Sequence, residues 1–168
     1  NIAFANELSM ICARAKIDIW ELIRLANRHP RVNILQPGPG VGGHCIAVDP
    51  WFLVSGFPEE SNLIRTSRET NLRKTDWVFM DIMKHVEKFE TDRGRPPIVT
   101  CFGLAYKPDI DDLRESPSLE LVEKLRHTGV NIKAVEPNVT SLDGLELSTI
   151  EEGLKSDIIV FFVAHREF

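Results

Sequence analysis

Cysteine is scarce: Cys12, Cys45 and Cys101 are the only three in a chain of 168 residues. An odd number without ligand spacing builds neither a disulfide framework nor a metal centre, so no metal is expected, and a reducing, cytoplasmic compartment fits best. Positive charge is also in deficit. The formal charge is −5 and no Lys/Arg cluster breaks the pattern, which excludes a nucleic-acid-binding face. No apolar run approaches the roughly 20 residues that span a bilayer, and no signal peptide opens the chain, so no membrane partner is expected. What is present is the balance of a soluble globular protein, 43% apolar and 27% charged, long enough for one ordinary domain or two small ones. The chain starts without methionine inside an apolar helical pattern and stops just past a hydrophobic strand. It is therefore expected to be a piece of a longer protein.

Between residues 2 and 26 apolar side chains recur at helical spacing, and Lys16-Ile17-Asp18 breaks the run into two helices, with Asp18 capping the second. Cys12 lies on the apolar stripe and reads as core. Asn6-Glu7 is a polar pair early in the helix, whose plain reading is a solvated face. A second, long helical pattern covers residues 61 to 89, with an apolar face wider than a surface helix needs. The first unit, residues 1–90, is thus expected to be all-helical and to complete its apolar surface by dimerisation. Residues 91–97, charged and closed by Pro96-Pro97, read as the linker. From residue 98 the pattern alternates. Strands are expected at 98–104, 130–135 and 157–163, with helices opened by Ser116-Pro117 and around Thr149 to Leu154. Such alternation predicts an α/β domain, residues 98–168, with a Rossmann-like parallel sheet. Ligands of such sheets bind at the carboxyl ends of strands, which singles out Lys107 to Glu115. Cys101 faces the sheet interior. No Gly-x-Gly-x-x-Gly follows the first strand, so any phosphate contacts must come from something other than a glycine-rich turn.

The chain is organised around Pro37-Gly38-Pro39-Gly40-Val41-Gly42-Gly43-His44-Cys45-Ile46-Ala47-Val48-Asp49-Pro50. Its glycines and prolines suit neither a helix nor a central strand, and its low bulk permits close approach by a ligand. Cys45 is a candidate nucleophile and Asp49 a candidate acid or base. The plain alternative is a tight connection holding a buried thiol. In the second segment, Tyr106 to Ser116, Lys107 and Arg114 suit a phosphate or pyrophosphate; the plain alternative there is a solvated charged turn. His44 is the one histidine beside this chemistry, and His29, His85, His127 and His165 read as surface or capping residues.

Taken together, Gly40-Val41-Gly42-Gly43-His44-Cys45 with Asp49, Gly103-Leu104-Ala105-Tyr106-Lys107-Pro108 and Asp111-Asp112-Leu113-Arg114-Glu115-Ser116-Pro117 resemble the UDP-glucose/GDP-mannose dehydrogenase family over essentially the whole chain. His44, Asp49-Pro50-Trp51-Phe52 and Pro30-Arg31-Val32-Asn33-Ile34-Leu35 are most similar to the branch that oxidises UDP-N-acetyl-D-mannosamine; the UDP-glucose branch usually has serine at position 44. The resemblance implies a helical dimer core followed by a sugar-nucleotide domain, with the N-terminal NAD domain and its lysine outside this chain. It implies a homodimer, a UDP-sugar substrate and NAD as cofactor, bound mainly by that missing domain. The reaction implied is oxidation of a primary alcohol to a carboxylate through an aldehyde, a thiohemiacetal on Cys45 and a thioester, with Asp49 assisting proton transfer. By the same resemblance Arg31, Gly38, Gly40, Gly42, Tyr106 and Lys107 contact substrate, and Gly43, Val48 and Arg114 contact cofactor. The isolated chain is expected to be inactive. UDP-GlcNAc, UDP-glucose or GDP-mannose as substrate, or a non-catalytic dimerisation or nucleotide-binding module, remain the alternatives.

Overall fold

Asp18 accepts hydrogen bonds from the Trp20 and Glu21 N–H groups at 2.8 and 3.2 Å, which places it as the N-cap of helix α2 (Ile19–Ala26). The preceding helix α1 (Ile2–Ala15) ends at Lys16, in the left-handed region at φ 58°. The break expected at residues 16–18 is therefore present. The computed structural model describes residues 1–142 and 144–168. It divides into two units, Asn1–Trp77 and Val78–Phe168. Helix α3 (His44–Gly56) completes the first unit, and helix α4 (Asn62–Arg93) contributes to both.

Two expectations need correction. The glycine- and proline-rich stretch turns helical at His44, earlier than its composition suggests, because the last glycine, Gly43, serves as the N-cap at φ 87°. Pro50 then sits inside α3 and forgoes the bond that its N–H would give to the Ile46 carbonyl. The long helix also runs to Arg93, through the first residues of the expected linker. Glu90 to Arg93 contain no breaker, and a Lys88–Asp92 pair at 2.8 Å ties the last turn. Gly94 and Pro96-Pro97 end it.

In the second unit, strands β1 (Ile98–Phe102), β2 (Asn131–Val135) and β3 (Ile158–Phe161) form a parallel sheet in the order β2-β1-β3. Each strand is trimmed by one to three residues against the expected spans. Helix α5 (Pro117–His127) follows its Ser116 N-cap and α6 (Ile150–Gly153) its Thr149 capping box. Val99, Cys101, Leu104, Val122, Leu125 and Ala134 form the centre of the core. Cys101 is among them, and burial pushes its thiol up to about 12. Because β2 and β3 flank β1 on opposite sides, the chain reverses its winding direction between β1 and β3. Their carboxyl ends define the crevice where ligands of such sheets bind.

The amino end of β1 is tied by Arg95, whose guanidinium makes two bonds to the Asp157 carboxylate at 2.9 and 2.6 Å. The same carboxylate accepts the Ile98 N–H at 2.9 Å. The Arg95 bonds, then the Ile98 N–H, hold the Asp157 carboxyl down from 3.8 to about 2. A carboxyl lowered in the folded state stabilises the fold above its unfolded value and stops doing so as pH falls through 3.8 towards 2. Asp157→Asn is therefore expected to lower Tm at neutral pH. The gap to the wild type should close as pH drops through that interval, measured by thermal scans against pH; a gap that persists at the acid end contradicts the assignment.

Candidate active site

The first unit builds its site from α1, α4 and the loop between them. Asn6 is fully buried. Its Oδ1 accepts the Gly38 N–H at 2.9 Å and its Nδ2 donates to Asn71 Oδ1 of α4 at 2.9 Å. Thr75, also on α4, donates to the Pro39 carbonyl at 3.0 Å. Three buried polar side chains thus hold the loop from behind, Asn6 and Thr75 on its backbone and Asn71 on Asn6. Asn6 is a correction: a solvated face was expected, whereas the helix turns this polar residue inward to meet the loop's backbone.

Beyond the loop, Cys45 occupies the second position of α3 and is exposed. Unpaired backbone N–H groups and the positive end of the helix dipole converge there, a setting that favours negative charge. The plain alternative of a buried thiol is thus wrong for Cys45 and right for Cys12 and Cys101, both buried. His44 Nδ1 lies 3.8 Å from Cys45 Sγ. Asp49 is four residues on, hence on the same helix face one turn away, and is exposed. Gly40, Gly42 and Val48 are half-buried, Gly43 is buried and Arg31 is exposed. Arg31 donates its backbone N–H to His29 Nδ1 at 3.2 Å. Next to the loop is a cavity of about 410 Å³, lined by Ile46 and Pro50 of α3, Val41 of the loop, and Leu63, Ser67 and Asn71 of α4, among others. Among the described residues, Cys45 and Asp49 do not line it.

The second unit gathers its polar groups at the carboxyl edge of the sheet. Tyr106 is half-buried and Lys107 exposed; the Lys107 ammonium stands 5.8 Å from the Tyr106 ring centre. Arg114 is exposed and forks onto Asp112, Nε at 3.0 and 3.1 Å and Nη2 at 2.7 Å. Behind this loop lies a cluster that the residue pattern alone did not disclose. Glu136, at the end of β2, is 4% exposed. Its Oε2 accepts the Leu104 and Ala105 N–H groups at 2.6 and 3.0 Å and faces His165 Nε2 at 3.1 Å. His165, expected at the surface or as a cap, is also 4% exposed. It turns inward because Glu136 and the loop backbone offer partners to both ring nitrogens. Nδ1 receives the Asp109 N–H at 2.9 Å and the Asn138 Nδ2 at 3.0 Å. With both nitrogens engaged, His165 has none to offer a metal, although the ligand atoms of Asp109, His165 and Glu167 lie within 4.8 Å of one another. The other three distant histidines, His29, His85 and His127, are exposed as expected.

The sequence-predicted residues therefore fall into two groups. Arg31, Gly38, Gly40, Gly42, Gly43, Cys45, Val48 and Asp49 belong to the first unit, and Tyr106, Lys107 and Arg114 to the second. Missed were Asn71, Thr75, Glu136 and His165. For the last two a usable signal existed: both follow a strand's carboxyl end, where sheets of this kind place function.

The first unit thus carries an exposed cysteine at a helix start, and the second an open parallel sheet with cations at its carboxyl edge. Residues 1–73 match the model of the UDP-glucose/GDP-mannose dehydrogenase family, central domain, and residues 100–168 that of the same family's UDP binding domain. The chain belongs to the UDP-glucose/GDP-mannose dehydrogenase family. It is 53% identical to the UDP-N-acetyl-D-mannosamine dehydrogenase of Escherichia coli (strain K12), matching all of this chain and 42% of that protein. It is 51% identical to the NDP-N-acetyl-D-galactosaminuronic acid dehydrogenase of Ralstonia solanacearum, over all of this chain and 40% of the relative. Among solved structures, the UDP-D-ManNAc dehydrogenase of Pyrococcus horikoshii aligns with a TM-score of 0.85 at 35% identity, over 99% of this chain and 39% of that one. The chain thus spans about two fifths of the length of these relatives. Among the described residues no helix is long and apolar enough to cross a membrane.

Proposed function

We propose that the full-length protein carrying this chain is an NAD-dependent UDP-N-acetyl-D-mannosamine 6-dehydrogenase. The observation that carries the reading is the exposed Cys45 at the start of α3, with Asp49 one turn along the same face. The residues present fit the cofactor only in part. Arg114 offers an exposed cation, but the turn after β1, Gly103-Leu104-Ala105-Tyr106-Lys107-Pro108, lacks the Gly-x-Gly-x-x-Gly run that seats a dinucleotide. NAD, when bound, supplies the hydride acceptor for both oxidations, and its main seat lies outside these residues; Gly43, Val48 and Arg114 are proposed as its contacts from this chain.

Cys45 Sγ adds to the aldehyde carbon, with the helix end favouring the anionic sulfur. Oxidation of that adduct leaves a thioester, and water attacks its carbonyl carbon to release the acid and the thiol. Asp49, on the same face, takes the proton from that water. Gly38 spends its N–H on Asn6 and contributes by fixing the loop. The Gly40 and Gly42 backbone is left to face the sugar nucleotide, together with Arg31, Tyr106 and Lys107. Residues 1–90 are proposed as the dimerisation domain and 98–168 as the UDP-sugar domain, joined by 91–97, of which residues 91–93 finish α4. The dimer is supported by large exposed apolar side chains such as Phe52 and Leu63, 70% and 80% exposed. Three free cysteines are consistent with the cytoplasm.

A second reading has a specific support: the galactosaminuronate relative is nearly as similar as the mannosamine one, 51% against 53%. The full-length protein assayed with UDP-ManNAc, UDP-GlcNAc, UDP-glucose, GDP-mannose and a UDP-N-acetylgalactosamine decides between them. UDP-ManNAc is expected to give the highest kcat/KM and two NADH per sugar oxidised. One NADH per sugar, or a higher kcat/KM with another substrate, overturns the reading.

A further inference from the structure

We propose that Glu136 and His165 are positioning residues for the loop that presents Tyr106 and Lys107 to the nucleotide sugar. The proposal rests on the reading of those two side chains as substrate contacts. All three strands take part: β1 runs into the loop, β2 delivers Glu136, and the segment after β3 delivers His165. Glu136 fixes the start of the loop through the Leu104 and Ala105 N–H groups, at 2.6 and 3.0 Å. His165 fixes its middle by accepting the Asp109 N–H at 2.9 Å. Ser116 fixes its end by donating to the Leu104 carbonyl at 2.6 Å.

The histidine bonds also set its tautomer. An Nδ1 that accepts an amide N–H carries no proton, so Nε2 carries it and donates to Glu136 Oε2 at 3.1 Å. The buried carboxylate orients the ring, and the ring holds the loop. Asp109 needs holding: its backbone lies at φ 60°, a conformation a non-glycine residue leaves readily without support. Its carboxylate closes the clasp from outside, accepting the Arg166 N–H at 2.9 Å and pairing with Arg166 Nε at 3.0 Å. Tyr106 and Lys107 lie between the two fixed points. No other assigned role uses this buried pair.

Two conservative variants separate the two histidine bonds in the full-length protein. His165→Asn keeps an acceptor where Nδ1 stood and loses the donor to Glu136. His165→Gln keeps a donor where Nε2 stood and loses the acceptor for Asp109. Amide hydrogen exchange over residues 105–115 is expected to quicken in His165→Gln, with KM for the nucleotide sugar up about five- to tenfold, the scale of one hydrogen bond. kcat should change less than twofold, and His165→Asn, which keeps the acceptor for Asp109 but loses the bond to Glu136 that orients it, should fall between wild type and His165→Gln in both measures. Arg166→Ala, at the surface, keeps the test decisive if His165→Gln fails to fold; it is expected to raise KM about two- to threefold. Equal exchange in wild type and His165→Gln, or faster exchange with unchanged KM, overturns the proposal. If the wild type oxidises no nucleotide sugar, the dehydrogenase reading falls on its own. Exchange and the calorimetric Kd for UDP, expected to weaken about five- to tenfold in His165→Gln, then decide the clasp.

Discussion

Cys45→Ser in the full-length protein is expected to cut acid formation by on the order of 10⁴-fold or more, with folding and nucleotide-sugar binding intact. A nucleophile removed from a site that acts as a unit costs several orders of magnitude in kcat. Serine keeps the position and almost the volume, but its hydroxyl is a far weaker nucleophile than a thiolate. Stability should be unaffected, since Cys45 is exposed and outside the core. The measurement is carboxylate product per unit time, with UDP affinity measured in parallel. A variant that still makes acid at the wild-type rate would return the chain to the non-catalytic alternative. The same position can be probed without turnover. Of the three cysteines in this chain, iodoacetamide should add to Cys45 alone under native conditions. Cys12 and Cys101 are buried, and the Cys101 thiol, pushed up to about 12 by desolvation, stays protonated. Prior nucleotide-sugar binding should slow that labelling.

Local chemistry was the part of the fold most legible from the residues. Asp18 and Ser116-Pro117 mark helix starts because capping and the fixed φ of proline act over one turn. The alternation after residue 98 disclosed the parallel sheet for the same reason, since a crossover helix must follow each strand. Where the reading went astray, the deciding partner was distant in sequence. Asn6 looks solvated beside Glu7, yet its partners Gly38 and Asn71 come from 32 and 65 residues away. His165 looks like a surface histidine until Glu136 and Asp109 are brought to it, 29 and 56 residues away. Composition also misled at the cysteine loop. Gly43 stands at the cap and Pro50 is tolerated inside α3 at the loss of one backbone bond, so Cys45 starts a helix rather than ending a loop. That shift matters chemically, because it places the thiol against the backbone N–H groups of a helix start.

Gly103→Ala is expected to be the most damaging single-methyl change in the second unit, on the order of 2–5 kcal/mol. Two independent costs coincide at this residue. Its φ of 80° lies where an L side chain is strained, a penalty of about 1–2 kcal/mol. An added Cβ would also fall on the Val163 carbonyl group, within 2.9 Å of its carbon. Backbone gives way less readily than a flexible side chain, and overpacking of this kind costs about 1–3 kcal/mol more. The residue cannot turn away from the clash, because its N–H donates to the Val135 carbonyl at 3.0 Å and so holds the ends of β1 and β2 in register. Gly94→Ala provides the control. It sits at φ 66° with nothing within 4 Å of the added methyl, so it pays the conformational cost alone. Denaturant unfolding of both variants should therefore separate them by the clash energy. Equal losses would mean that β3 and the segment after it shift freely. In that case the crevice between β1 and β3, with Glu136 and His165 beneath it, would not be the rigid floor that a nucleotide site requires.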